Sequence, residues 1–262
     1  MKNFKLSLIL PTFDEKENLE IIIPNIVDLF SKKLEIDYEI IVVDDSSKDG
    51  TKELIENLNS HNSKVKLMLR NKTPSLPLSI YEGILGAKYE NVMWMDADGS
   101  MPIEAMYDLI IKFYENTHSA VVGSRFTDGG GYKGITDADN QSFFRAISIV
   151  NKSEDSALAM ILSIVINKIL SFLFKAGLTD LTSGFVIVNK EYIEEDSFSN
   201  KVYGEYFIYF ISSLISKNIE IVEVGYVCET RLKGYSKTAN NIFQIIKRGL
   251  PYFYAAWRKR KK

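Results

Sequence analysis

The chain has little cysteine and little histidine. Its 262 residues hold one cysteine, Cys228, and two histidines, His61 and His118. A single cysteine excludes an intrachain disulfide framework and leaves the cytosol as the default compartment. Two histidines so far apart in sequence exclude a His/Cys metal centre. Charge of one sign is not in excess either: 32 Lys and Arg stand against 34 Asp and Glu, for a net charge of -2. That balance excludes the broad basic field of a nucleic-acid binder, so any site for a polyanion must be local. Met1 to Leu10 carries lysines and runs through the strand-like LSLIL into Pro11. It lacks the long apolar core and small-residue cleavage site of a secretory signal, and no secretion is expected. Internal repeats and low-complexity linkers are also missing.

What is present is the composition of an ordinary globular protein, 46% hydrophobic and 25% charged. The length suits one large α/β domain, 1–237, with a terminal appendage, 238–262, better than two full domains of roughly 100 to 150 residues. Short apolar runs rich in β-branched residues alternate with longer helical patterns, as parallel βαβ units require. Leu6 to Leu10, Tyr38 to Val43, Val65 to Leu69, Val92 to Met95 and Ala120 to Gly123 read as strands. Glu17 to Phe30, Gly50 to Ser60, Leu78 to Tyr89 and Pro102 to Tyr114 have helical spacing. The pattern predicts a parallel sheet covered on both faces. After Arg125 the rhythm breaks into FTDGGGYKGITDADNQ, whose Gly, Asp and polar content predicts a loop near ligand. Gly184 to Val188 and Ile219 to Val227 read as further strands around a helix at Tyr206 to Ser216.

Two segments are apolar enough to concern a membrane. Ala157 to Leu178 is apolar almost all round, but Asn167 and Lys168 sit at its centre. A central lysine is costly in a bilayer, so a helix lying in the interface or buried in the protein is favoured over a span. Asn241 to Lys262 combines Phe243, Tyr252, Phe253, Tyr254 and Trp257 with a basic end, Arg258 to Lys262, and reads as a membrane-surface helix.

Ligands of an open parallel sheet bind beyond the carboxyl ends of its strands. Here those ends are Pro11, Thr12, Phe13, Asp14 and Glu15; Asp44, Asp45, Ser46 and Ser47; Asp96, Ala97 and Asp98; and Gly123, Ser124 and Arg125. Carboxylates crowded at one sheet edge need a cation or hydrogen bonds to offset their repulsion. In Asp96-Ala97-Asp98 the pleat lets one carboxylate face a ribose and the other a divalent ion; it also lets both merely close a strand. Hard oxygens select magnesium or manganese, which would bridge the phosphates of a nucleotide diphosphate. Asp44 and Asp45, with Ser46 and Ser47, can cap the following helix or read a base, and both can hold at once. Arg125 is either a surface cation or a bidentate phosphate contact.

LSLILPTFDEKENL, YEIIVVDDSSKDGT, VMWMDADGSMP, VVGSRF, DLTSGF and RLKGYSK, in that order along most of the chain, resemble the family-2 glycosyltransferases. The branch that they resemble contains dolichol-phosphate mannose synthase and the bacterial polyprenyl-phosphate glycosyltransferases. The resemblance implies the GT-A fold, a Rossmann-like, mostly parallel sheet with helices on both faces, with amphipathic helices at a membrane interface. It implies that Pro11, Phe13, Glu15, Asp44 and Asp45 hold the nucleotide together with Asp96, and that Asp96 and Asp98 hold magnesium or manganese. Asp98 and Arg125 would be catalytic. Arg125, Asn167, Arg231, Ser236 and Lys237 would meet acceptor or phosphates, with 126–178 as acceptor loop and interface helix. The implied partners are a GDP- or UDP-linked sugar, a lipid phosphate and a membrane surface, with no nucleic acid.

The chain departs from the family at Ser75, Leu76 and Pro77, where a Gly-Leu-Gly stretch is usual, and at Val186, where an arginine is usual. The basic pair expected before the interface helix falls on Ala159 and Met160, and Arg145 is a substitute from the loop. These departures bear on sugar and acceptor. The alternative acceptor is a sugar hydroxyl, which needs a general base, for which Glu205 is the candidate. A non-catalytic nucleotide-sugar scaffold is the alternative of another class. A nucleotidyltransferase is disfavoured, because PTFDE stands where its Gly-rich, Lys-containing loop would be.

Overall fold

The computed structural model describes residues 1, 3–132, 135–136, 157–174, 177–201 and 203–233. Five strands start the chain's main sheet: β1 (Lys5–Thr12), β2 (Asp37–Asp44), β3 (Val65–Leu69), β4 (Asn91–Trp94) and β5 (Ser119–Ser124). With β8 (Val186–Asn189) and β9 (Glu220–Gly225) they form seven strands in the order β3-β2-β1-β4-β8-β5-β9. The helices are α1 (Lys16–Asp28), α2 (Thr51–His61), α3 (Leu76–Gly86), α4 (Ile103–Glu115), α5 (Ala157–Phe174) and α6 (Tyr206–Ser216). Each predicted strand or helix named above through Pro102–Tyr114 lies within three residues of its observed bounds, and α6 coincides with its expected range.

The pleat of β1 explains why its sequence is a continuous apolar run. Leu6, Leu8 and Leu10 enter one core with Leu19, Ile22 and Ile26 of α1, Ile55 of α2 and Met106, Leu109 and Phe113 of α4. Ile9 enters the other with Ile80 and Ile84 of α3, Leu170 of α5 and Phe207, Phe210 and Ile211 of α6. A strand that must bury both faces cannot alternate apolar with polar. The one polar residue inside the run, Ser7, is hydrogen-bonded: its hydroxyl donates to Glu39 Oε1 at 2.6 Å and accepts the Tyr89 N–H at 3.1 Å.

The sheet is mostly parallel, as the resemblance to the family implied; the alternating rhythm alone pointed to a wholly parallel one, and the exception is β8, which runs antiparallel between β4 and β5. Ser124 and Thr179 hydroxyls meet at 2.7 Å, so α5 delivers the chain to the edge where β5 ends. From that edge β8 can only run back toward the start of β4, where the Lys190 N–H donates to the Glu90 carbonyl at 2.8 Å. Part of the expected loop after Arg125 is paired: β6 (Gly131–Tyr132) and β7 (Ile135–Thr136) form a small sheet with β10 (Val227–Cys228). The expected strand Ile219 to Val227 accordingly divides at Tyr226, whose N–H donates to Ser124 and whose carbonyl accepts from Gly131. Gly225 makes the crossing possible, because a Cβ there would overlap the Asp128 carbonyl and the Gly130 nitrogen.

Among the described residues no helix is long and apolar enough to cross a membrane. In α5 Asn167 is buried and Lys168 exposed. The terminal segment 238–262, Arg145, Ser236 and Lys237 lie outside the described residues, as do the side chains of Ala159 and Met160.

Candidate active site at the carboxyl edge of the sheet

The ends of β1 and β2 are laced together by side-chain to backbone hydrogen bonds. Asp14 Oδ1 accepts the Lys48 N–H at 2.7 Å, and the Asp14 N–H donates to Ser47 Oγ at 2.8 Å. Asp49 accepts the N–H groups of Lys16 and Thr51 at 2.8 and 3.0 Å, so it serves the starts of α1 and α2 together. Asp44 receives the Ser47 hydroxyl and its N–H. Burial, opposed by those Ser47 bonds and assisted by the charges of Asp49 and Asp45, holds the Asp44 carboxyl above its ordinary value. Pro11 is buried in β1, and Phe13 stands 40% exposed just past it.

Asp45 has a different environment from its neighbour. One oxygen pairs with the Arg70 guanidinium; the other accepts the Ser75 N–H and the Ser79 hydroxyl, both at 2.7 Å. Ser75 is the residue before α3, so Asp45 fixes that helix to the end of β2. Arg70 is fully buried, and its Nε lies 3.3 Å from Glu82. Both Asp45 oxygens therefore face internal donors, while among the described residues the Asp44 carboxylate is bonded by Ser47 alone.

The sharpest convergence lies between residues far apart in sequence. Arg231 Nη2 is 2.9 Å from Asp98 Oδ2, and Arg231 Nη1 is 3.2 Å from Glu15 Oε1. Asp98 Oδ1 accepts the Ser100 N–H at 2.9 Å. Glu15 Oε2 accepts from Asn18 Nδ2 at 2.6 Å, and the same amide reaches the Lys233 carbonyl at 3.3 Å. Asp96 is half-buried in this group. Burial first, and then the charges of Asp98 and Glu15 against those of Arg231 and Arg125, push its carboxyl up to about 7. Burial opposes the charge of Arg231, but Asp98, Glu15 and Asp96 outweigh it and hold the guanidinium above its ordinary value. Among the described residues no three His, Cys, Asp or Glu side chains converge closely enough to hold a metal ion by themselves. The two carboxylates of Asp96 and Asp98 are nonetheless hard-oxygen donors of the kind that magnesium and manganese take, and Asp98 already faces a cation. Such an ion would need further oxygens from the ligand it arrives with.

Arg125 follows β5 and is held by Asp180, through Nε at 2.7 Å and Nη2 at 2.9 Å, with Thr182 Oγ1 at 2.8 Å from Nη2. Burial opposes its charge, yet Asp180 more than offsets that and keeps the guanidinium well above its ordinary value. Thr182 Oγ1 also accepts from Asn167 Nδ2 at 2.8 Å, and Asn167 Oδ1 accepts the Leu181 N–H at 2.8 Å. Asn167, read from sequence as an acceptor contact, thus ties α5 to the loop that holds Arg125. Val186, where an arginine was expected, is buried in β8 opposite Trp94 and Val122. Glu205 is buried at the head of α6 and accepts the Tyr203 N–H at 2.9 Å. The sequence reading passed over Asn18, Arg70, Asp180 and Glu223. Asp180 was readable in part, as the acidic start of DLTSGF; Asn18 had no signal apart from its place one turn after Glu15.

Comparison with known proteins gives the family and the fold. A family model described as glycosyl transferase family 2 matches residues 7–196. The chain is 30% identical over 244 residues to a dolichol-phosphate mannosyltransferase of Pyrococcus furiosus, covering 93% of this chain and 62% of that protein. It is 27% identical over 192 residues to the Saccharomyces cerevisiae protein of the same name, covering 73% of this chain and 63% of that one. The chain thus spans about three-fifths of the length of these relatives. Among solved structures it resembles glucosyl-3-phosphoglycerate synthase from Mycobacterium tuberculosis in complex with Mn2+, UDP and glucosyl-3-phosphoglycerate. The TM-score is 0.66 at 14% identity, over 98% of this chain and 80% of that one. The same enzyme with Mg2+ and UDP gives a TM-score of 0.65 at 12% identity, over 98% and 79%. Likeness at that identity shows the fold, which is the GT-A arrangement that the sequence resemblance implied.

Proposed function

The chain belongs to glycosyl transferase family 2, and from that premise we propose that it moves a sugar from a nucleotide-diphosphate sugar to a polyprenyl phosphate, inverting the anomeric centre. The observation that carries the reading is the meeting of Glu15, Asp98 and Arg231 at the carboxyl end of the sheet, two anions and a cation drawn from three distant parts of the chain. A ligand that carries both a diphosphate and its counter-cation is what such a mixed group can neutralise.

The exposed ring of Phe13 and the Asp44 carboxylate flank the place for base and ribose, and Pro11 fixes the strand end beneath them. Asp96 and Asp98 would hold magnesium or manganese, which when bound offsets the charge that develops on the leaving diphosphate. An acceptor phosphate oxygen attacks the anomeric carbon, the bond from that carbon to the diphosphate breaks, and the nucleoside diphosphate leaves. Arg125 and Arg231, with Ser236 and Lys237, would orient the two anionic partners and lower their repulsion. A phosphate monoester has a second pKa of about 6 and is largely ionised at neutral pH, so no protein base is required. Glu205, the candidate base for a hydroxyl acceptor, is instead buried at the head of α6, where it accepts the Tyr203 N–H. We place the protein peripherally on the cytoplasmic face of a membrane.

The test supplies GDP- and UDP-linked sugars with Mg2+ or Mn2+ and either a polyprenyl phosphate or a hydroxyl-bearing glycolipid, and identifies the product by mass. A glycosyl phospholipid is the expected product. Transfer to the glycolipid hydroxyl alone, abolished by Glu205→Gln, would replace this acceptor with the other. Nucleotide-sugar binding with no transfer to either would leave a scaffold.

A further inference from the structure

We infer that Arg231 is a built-in counter-ion of the carboxylate edge: it stands where a divalent cation has to bind, and it gives up Asp98 when the cation arrives together with a nucleotide diphosphate. The inference rests on the donor reading above and adds to it the order in which the site fills.

Both oxygens of Asp98 are engaged. The Ser100 N–H takes Oδ1 at 2.9 Å and Arg231 Nη2 takes Oδ2 at 2.9 Å. A guanidinium stays charged at any physiological pH, so a metal ion that takes Oδ2 must either displace that positive charge or bind directly against it. Arg231 is not a loose surface side chain that happens to rest there. The Glu229 N–H donates to the Ser100 carbonyl at 2.9 Å, and the Leu232 N–H donates to the Asp98 carbonyl at 3.1 Å. Leu232 lies so close over Gly99 that a Cβ there would sit 2.6 Å from it. Residues 229–233 are therefore laid across the strand end, with Arg231 as the charge that fits its carboxylates.

Free metal alone brings no replacement partner for Arg231, so its binding leaves two cations in one half-buried place. A diphosphate changes the balance, because its oxygens can take the guanidinium in a bidentate contact while the ion takes Asp98. Glu15 stays paired with Arg231 throughout, since its other oxygen is fixed by Asn18 at 2.6 Å, and so it keeps the segment at the site during the exchange. Metal and nucleotide then each favour the other's binding, a reciprocal coupling. The resting protein meanwhile does not leave its carboxylates unneutralised.

The experiment is a titration of the full chain with Mn2+, followed by the loss of the free-ion paramagnetic resonance signal, without nucleotide and with UDP or GDP. For the natural chain, affinity should rise by about tenfold or more when a diphosphate is added, within the range of typical couplings. Arg231→Gln should bind Mn2+ about tenfold more tightly than the natural chain without nucleotide, and should gain much less from the diphosphate. Arg231→Lys keeps the charge and should stay near the natural chain, which also separates charge from folding. Equal nucleotide-free affinity of the natural chain and Arg231→Gln, with both proteins folded by thermal melting, would overturn the inference alone. No Mn2+ binding by any of them with either diphosphate would overturn the metal-dependent donor reading, and this inference with it.

Discussion

Asp180 grips Arg125 with both carboxylate oxygens, Oδ2 at 2.7 Å from Nε and Oδ1 at 2.9 Å from Nη2. The grip is set by a second carboxylate: Glu223 of β9 accepts the N–H groups of Thr179 and Asp180 at 2.9 Å. The direction of Arg125 thus depends on β5, β9, the 179–182 loop and, through Thr182 and Asn167, on α5.

Asp180→Asn should therefore cost more than a surface ion pair. The Asp180 side chain is fully buried and that of Arg125 is 13% exposed. Removing one partner of a buried pair strands the other charge, which typically costs about 3–5 kcal/mol. A urea unfolding midpoint measured beside that of the natural chain checks this. A loss below about 1 kcal/mol, the range of exposed pairs, would mean that Arg125 finds another anion.

Asp45→Ala separates two roles that the sequence left open. If Asp45 mainly read the nucleotide, the variant would fold normally and bind nucleotide poorly. Its bonds to Arg70, Ser75 and Ser79 instead lead to a loss of stability of about 3 kcal/mol, because the buried Arg70 would keep only the half-buried Glu82 as a counter-charge and the Ser75 N–H and Ser79 hydroxyl would lose their acceptor. Thermal melting of the variant decides between them.

The difference between Asp44 and Asp45 also marks the limit of what the sequence disclosed. The βαβ rhythm, the strand ends and the carboxylates at them were legible, because burial on both faces forces unbroken apolar runs such as Leu6 to Leu10 and places polar residues where the runs stop. Both aspartates are buried, and which of them pairs with an internal cation was not legible, since it depends on Arg70, 25 residues later. The bridge of Arg231 to Glu15 joins residues 216 apart, and no local pattern encodes such a contact. The reversed direction of β8 was likewise hidden: VIVN reads the same in either orientation, and the edge at which α5 releases the chain decides it.

The Asp96 carboxyl gives a pH signature. Its ordinary value of 3.8 applies to the unfolded chain, and burial beside Asp98 raises it to about 7 in the fold. Between those values the folded protein keeps a proton that the unfolded chain has released. Stability from this group is fully present below about pH 4 and is lost as pH rises through about 7. Asp96→Asn, which has no such proton to lose, should show a flatter decline between pH 5 and pH 8 in urea midpoints. Parallel profiles for the two proteins would mean that Asp96 is already ionised in the fold.

The outer face of α5 offers the most direct test of membrane attachment. Val165, Ile169 and Phe172 are 45%, 38% and 77% exposed, while Asn167 and Leu170 are buried. Positions spaced by four and three residues share one side of a helix, so the three form a single apolar stripe opposite the buried side. An aligned exposed stripe is unusual on a water-facing surface, and a helix of this kind can lie in a bilayer interface without crossing it. Burying one such side chain is worth about 1.5–3 kcal/mol, so Phe172→Asp should reduce partition to vesicles by about tenfold or more. The change should leave the melting temperature nearly unaltered, because Phe172 packs on little of the fold. Vesicle flotation with anionic lipid measures it, beside a chain truncated after Lys237 that lacks the aromatic and basic tail. If Phe172→Asp floats as well as the natural chain and only the truncated form fails, the tail is the anchor and the stripe is not. If Phe172→Asp instead melts several degrees lower, the stripe is covered within the protein, and α5 owes its apolar surface to packing.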